Sequence, residues 1–303
     1  MRTFYILMLL FISLTACKQS KKNIKTVDFS EVIPLEASTF ADSEKKPLKV
    51  AVAAILSPRE TFSSYEDIIG YIGSRLDMPV EFHQRKTYLE INDMLEKGVL
   101  DFAFICSGAY VELDKNSGVE LLSAPVSHGK PFYQAYIIVP ANSKYQRLTD
   151  LKGLSFAYTD VLSNTGYLYA RYRLKEEGED PDTFFSSTIF THAHDVSIQM
   201  VAKGLVEGAT IDGLVFDYLK TKDPERVKDI RIIEFSEYFG IPPVVASSHM
   251  DNALKVKVKE ILSTIHLDEE GRELINAILI DKFIDGKDSD YNSVRKMRAK
   301  VGN

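Results

Sequence analysis

Residues 48–56 read LKVAVAAIL, a continuous apolar run of the kind a parallel strand shows when both its faces are covered. The next stretch has the other period. Over 64–76, Tyr65, Ile68, Ile69, Ile72 and Leu76 fall on one helical face. A short strand, PVEF (79–82), comes next. A helix over 87–97 stops at Gly98, and LDFAFIC (100–106) is a second buried strand. Strands alternating with helices predict an α/β fold with largely parallel sheets.

The pattern then restarts. YQAYIIV (133–139) reads as a strand, and Leu148 to Gly153 as a short polar helix with a glycine stop. LSFAY (154–158) opens a second α/β unit, with a helix over 165–177, strand TIF (188–190), a helix over 195–204 and strand GATI (208–211). IRIIEFS (230–236) and VVASS (244–248) are strand-like, and helices over 252–265, 268–280 and 289–300 close the chain. Two α/β units of similar size, with the tail helices returning to the first, predict two lobes with a cleft between them. In such folds ligands sit beyond the carboxyl ends of the strands.

Upstream of Leu48 the texture differs. Residues 17–47, with KQSKKNIK near their start, carry no sustained periodicity and read as a tether. Before them, Arg2 precedes an apolar run from Phe4 to Leu14, and Leu14-Thr15-Ala16-Cys17 closes it. This order predicts a signal peptide over 1–16 ending in a lipoprotein cleavage box, with Cys17 as the lipid-modified terminus. The apolar run falls short of the roughly 20 residues that span a bilayer. The expected location is therefore extracytoplasmic, anchored on a membrane by lipid.

Loss of Arg2 with the leader takes the formal charge from −6 to −7, and an acidic domain argues against nucleic acid as a partner. With Cys17 carrying lipid, Cys106 remains alone, so no intramolecular disulfide is possible in the oxidising compartment. Within FAFIC it reads as a small buried hydrophobe.

The stretch Asp160-Val-Leu-Ser163-Asn164-Thr165-Gly166-Tyr167 follows a strand and opens a helix. Ser, Asn and Thr are capping residues, and Gly166 permits close approach to the backbone. A helix start of this kind offers free N–H donors and partial positive charge, suited to an oxyanion; the plainer reading is an ordinary helix cap. Thr191-His192-Ala193-His194-Asp195 lies at another strand-to-helix junction, and Asp212 follows the next strand at the same edge. A histidine and a carboxylate there can donate to, and accept from, a partly protonated ligand, or His192 and His194 can simply face solvent above an Asp195 cap. A zinc site built on His192 and His194 lacks a third ligand at any supporting spacing. Tyr88, Tyr110 and Tyr133 fall near strand ends of the first unit, where a hydroxyl can serve as a neutral donor. G-x-S-x-G, P-loop, H-E-x-x-H and G-x-G-x-x-G motifs are all missing, and no cofactor is expected.

The run Tyr88-Leu-Glu-Ile, then Gly98-Val-Leu-Asp101-Phe-Ala and Gly108-Ala-Tyr110, resembles the phosphate/phosphite/phosphonate-binding lipoproteins of ABC transporters. Gly129-Lys-Pro-Phe-Tyr133, Asp150-Leu-Lys-Gly153, Ser163 to Leu168 and His194-Asp195 come in that family's order, so the likeness covers roughly 48–265. It implies the type II periplasmic-binding fold, two α/β lobes joined by two crossing strands near 137–142 and 238–246. Lobe 1 would then comprise 48–138 and 243–303, and lobe 2 would comprise 139–242. It also implies ligand contacts from Tyr88 and Tyr133, from the Ser163, Asn164 and Thr165 cap, and from His194. Asp212 and Tyr110 transfer more weakly.

Two departures bear on the ligand. The cap reads Ser-Asn-Thr where the family more often has hydroxyls throughout, and Ile241-Pro242 stand where phosphonate binders tend to carry an acidic residue. Without that carboxylate, unless Glu237 replaces it, an aminoalkyl phosphonate is disfavoured. The expected function is capture of a small phosphorus oxyanion by lobe closure, as a monomer, for an ABC permease and its ATPase. The alternatives are a sensory module of the same fold, and a lipid-anchored enzyme using His194 and Asp212 as acid and base.

Overall fold

The computed structural model describes residues 45–53, 57–113 and 116–302. The expected leader, Cys17 and nearly all of the expected tether lie outside them. Within the apolar run at 48–56, Leu48–Val52 form β1. After it come α1 (Pro58–Leu76), β2 (Val80–His83), α2 (Tyr88–Glu96), β3 (Phe102–Phe104), α3 (Ser107–Glu112) and β4 (Glu120–Val126). Then β5 (Phe132–Tyr133) leads to β6 (Ala135–Pro140), β7 (Ser155–Tyr158), α4 (Tyr169–Glu176), β8 (Ser187–Phe190), α5 (His194–Ala202), β9 (Gly208–Asp212), α6 (Gly213–Lys222) and β10 (Ile230–Phe235). The chain returns through β11 (Phe239–Gly240) to β12 (Val244–Ala246), α7 (Asn252–Thr264), α8 (Glu269–Ala277), β13 (Lys282–Ile284) and α9 (Asn292–Val301).

Two sheets result. The first lobe is built on the order β13-β4-β12-β3-β1-β2 and the second on β10-β6-β9-β7-β8. Each is mixed, not largely parallel as expected. β1 pairs parallel with β2 and β3, and β7 with β8 and β9. The remaining pairs, β12 with β3 and β4, β13 with β4, and β6 with β9 and β10, are antiparallel. The reversal comes from connectivity: β12 enters the first sheet from the second lobe and β6 enters the second sheet from the first, so neither arrives by a crossover helix.

Helices cover the apolar faces. Ile68, Ile69 and Ile72 of α1 pack on Leu48, Val50 and Val52 of β1, with Val258 and Leu262 of α7 in the same core. In the second lobe, Ile198 and Val201 of α5 meet Ala157, Ala209 and Ile211. Full burial of one such aliphatic side chain contributes about 1.5–3 kcal/mol.

The segments joining the sheets pair with each other: β5 and β11 are antiparallel, with Tyr133 opposite Phe239 and Phe132 opposite Gly240. The first crossing therefore lies at 132–133, upstream of the expected 137–142, because YQAYIIV is not one strand. It breaks at Gln134, and the boundary expected at 138/139 falls inside β6, which belongs wholly to the second sheet. The second crossing lies within the expected 238–246. The tail also differs from expectation. α7, α8 and β13 return to the first lobe, but α9 packs Val294 and Met297 into the second lobe's core beside Tyr169 and Leu174.

Candidate functional site

The site forms where the carboxyl ends of β1, β3, β7 and β9 face one another across the cleft. β7 delivers Thr159 and Asp160 to this edge, and β9 delivers Asp212. After Asp160, residues Asn164–Leu168 form a single π-helical turn ahead of α4. Such turns are rare and recur at functional sites. Ser163 caps it: its Oγ accepts from the Gly166 N–H at 2.9 Å. A Cβ at Gly166 would overlap Thr159 Oγ1 and stand 2.8 Å from His194 Cε1, so only glycine lets the turn lie against the imidazole.

His194 is wholly buried. Its Nδ1 accepts from the backbone N–H of Asp212 at 3.0 Å, which leaves the ring proton on Nε2. Burial holds the ring down to about 3, so at neutral pH it is an uncharged N–H donor. That Nε2 has no partner, and neither do Tyr88 Oη, Asn164 Oδ1, Thr165 Oγ1 or Thr159 Oγ1, although all are buried. Leaving a buried polar group unpaired costs about 1–3 kcal/mol, so several on neighbouring residues of this edge point to a ligand that pairs them. Asn164 Nδ2 donates to Tyr133 Oη at 3.1 Å, and burial keeps the Tyr88 and Tyr133 hydroxyls protonated, well above the usual tyrosine range. Asp212 caps α6, accepting from the Leu214 N–H at 2.8 Å. Burial raises its carboxyl to about 7, so it can accept from or donate to a ligand oxygen.

The expected residues Tyr88, Tyr133, Ser163, Asn164, Thr165, Gly166, His194 and Asp212 thus come together. Tyr110 does not join them. One turn into α3 it faces the chain's tail, donating to Asp288 Oδ1 at 2.8 Å with its ring 4.7 Å from that of Tyr291. Asp195 does not cap α5, whose N-cap position is Ala193 with no side-chain cap; it accepts from the Ser57 N–H at 2.7 Å and pairs with Arg226 at 3.2 Å. Thr159 and Cys106 were not anticipated as site residues. The first stands just past a strand's carboxyl end, a position that could have flagged it. Cys106 sits between the lobes, its sulfur accepting from the N–H groups of Asn164, Gly108 and Ala109, and burial pushes the thiol up to about 11. Among the described residues, no group of three or more His, Cys, Asp or Glu side chains is placed to hold a metal ion.

The lobes touch. Tyr88 N–H donates to Asp160 Oδ2 across the cleft at 3.1 Å, and Gly108 lies so close to Leu162 and Asn164 that a Cβ would overlap the Leu162 carbonyl. Ala53, Tyr88, Cys106, Ala109 and Leu162 form one small apolar cluster spanning both lobes. This is the closed arrangement of a two-lobed solute-binding protein, with buried neutral donors lining the space between the lobes.

The chain belongs to the family of phosphonate ABC transporter periplasmic substrate-binding proteins, whose model matches residues 50–291. Members of this family bind solutes and are not enzymes. A curated relative, the phosphonates-binding periplasmic protein of Escherichia coli, is 22% identical over 245 residues, covering 78% of this chain and 72% of that protein. Solved structures share the fold. A binding-protein component of a phosphonate ABC transporter from Pseudomonas aeruginosa has a TM-score of 0.79 at 21% identity, over 84% of this chain and 86% of the other. A protein from Prochlorococcus marinus in complex with methylphosphonate has a TM-score of 0.75 at 15% identity, over 84% and 98%.

Proposed function

We propose that this extracytoplasmic protein captures a small phosphorus oxyanion by closing its lobes and delivers it to an ABC permease and its ATPase, acting as a monomer held to the membrane by lipid on Cys17. The lobes in this reading are 45–131 with 241–302, and 134–238, swinging about β5 and β11. One observation carries it: the donors His194 Nε2–H, Tyr88 O–H and Thr165 O–H are buried and without partners on residues that border the same interlobe edge as the turn after Ser163. Three tetrahedrally disposed oxygens can take these donors together, and the helix start adds partial positive charge. Asn164 Oδ1 and Asp212 supply the acceptors that a singly protonated oxyanion needs.

Each residue then has a role. His194, Tyr88 and Thr165 bind the oxyanion. Ser163 and Gly166 shape the turn. Tyr133 sets the Asn164 amide, and Asp212 both fixes the His194 tautomer and answers a P–OH. Closure pairs groups that each lobe alone leaves unpaired, so ligand and closure stabilise one another.

The test is calorimetric titration and thermal unfolding of the full chain in detergent with phosphate, phosphite, methylphosphonate, sulfate and nitrate. A phosphorus oxyanion at 100 times its Kd should add about 2.7 kcal/mol, a shift of several degrees. No response to any phosphorus oxyanion would sink the reading.

A further inference from the structure

The cleft does not end at the oxyanion donors. From Asp212 and Ala53 it continues as a pocket walled by Val52, Phe104, Val215, Ile241 and Ile280, with both lobes and the β11 crossing contributing. Ile241 is fixed there, its N–H donating to the Pro131 carbonyl at 3.2 Å and its carbonyl accepting from Tyr291 Oη at 2.9 Å. Asp212 beside the donors and His128 at the exposed rim line it; the other polar residues there, Thr61, Tyr65, Ser127 and Tyr218, carry hydroxyls. The Ser127 hydroxyl is already spent on the Leu279 carbonyl at 2.7 Å.

We propose that this pocket receives a short hydrocarbon substituent on the phosphorus, so that the preferred ligand is a small alkylphosphonate and not an aminoalkyl one. The inference rests on the phosphorus-oxyanion reading and refines it. Three observations carry it. Asp212 and Ala53 line the pocket and also border the donors, Asp212 through its N–H on His194 and Ala53 in one cluster with Tyr88, so the pocket lies beside a phosphorus held by those donors. Its walls are apolar, so burying methylene groups there is favourable and burying an ammonium is not: a desolvated cation needs a paired carboxylate. Asp212, the one carboxylate present, already serves the His194 side of the site and the α6 cap. Size sets the limit. The void holds about 90 Å³, below the roughly 150 Å³ of an apolar cavity that takes benzene, so a chain of a few carbons fits and a ring does not.

Propylphosphonate and 2-aminoethylphosphonate test this closely, being nearly isosteric and differing in a terminal methyl against an ammonium. Titration calorimetry on the full chain in detergent would compare them with phosphate and methylphosphonate. At about fourfold per buried methylene, propylphosphonate should bind about 15-fold more tightly than methylphosphonate, and at least tenfold more tightly than 2-aminoethylphosphonate. Equal or tighter binding of 2-aminoethylphosphonate would overturn the proposal. So would methylphosphonate binding with propylphosphonate excluded, and both results leave the phosphorus-oxyanion reading standing. If none of the four bound, that reading would fall and this one with it.

Discussion

His194 and Asp212 are coupled through one backbone hydrogen bond, and their titrations pull stability in opposite directions. Burial raises the Asp212 carboxyl to about 7, against about 4 in an unfolded chain. Between about pH 4 and 7 the folded protein thus holds a proton that the unfolded chain has lost, and stability falls as pH rises, by about 1.4 kcal/mol per unit. His194 is held to about 3 when folded, against about 6.5 unfolded. Between those values the unfolded chain binds the extra proton, and stability rises with pH at the same slope. From about pH 4 to 6.5 the two contributions cancel. We expect Asp212→Asn to uncover a stability that climbs with pH across this window, read by urea denaturation of the ligand-free protein; a flat profile in the variant would refute the assignment. For the ligand, His194→Ala should weaken phosphorus-oxyanion binding about 10- to 150-fold, the worth of a hydrogen bond to a charged group, measured by calorimetry. Gly166→Ala should lower the Tm by several degrees and abolish binding, because its methyl would occupy the space of Thr159 Oγ1.

At the scale of elements, carboxylates of the second lobe hold the starts of two first-lobe helices. Asp195 takes the Ser57 N–H ahead of α1, and Asp160 takes the Tyr88 N–H that opens α2. Both bonds exist only when the lobes meet, and each places negative charge where a helix start is positive. Asp195→Asn should therefore weaken ligand binding about three- to tenfold without touching the ligand, with the loss in the dissociation rate, as stopped-flow would show. An unchanged dissociation rate would remove Asp195 from closure. Most elements were legible because their apolar periods were strong, as in β1, α1 and α5. β4 was not: Pro125 interrupts ELLSAPV, and proline weakens a strand reading. α6 was hidden because its first residue is glycine and its run GLVFDYLKTK continues directly from β9 with no turn between. The π-helical turn left no local signature, since its cap residues serve an ordinary helix equally well. Tyr110 misled because nearness to a strand end says nothing about which way one helical turn aims a side chain.

For the whole molecule, Cys106 offers a reporter of closure. It is buried between the lobes, so a thiol reagent can reach it only through opening. In a Cys17→Ala protein, labelling should track the open population and slow in proportion to one plus ligand concentration over Kd. Labelling unaffected by saturating phosphorus oxyanion would contradict a ligand-coupled closure. The two-lobe plan was readable from the restart of the α/β pattern, but the position of the crossing was not. Two residues of β5 carry no periodicity, and pairing between segments more than 100 residues apart in the chain leaves no mark on either one.

The last helix has a mechanical consequence. α9 grips the first lobe through Arg298 on Glu112 at 2.5 Å and the second through Lys300 on Glu176, while Gly240 of the crossing lies against Asp290 and Tyr291 just ahead of it. Two strands alone would leave a joint free to bend and to twist. A third brace set off from their axis resists twisting, which leaves bending about the paired strands as the freer motion. The groups that must meet on the ligand then come together along one reproducible arc.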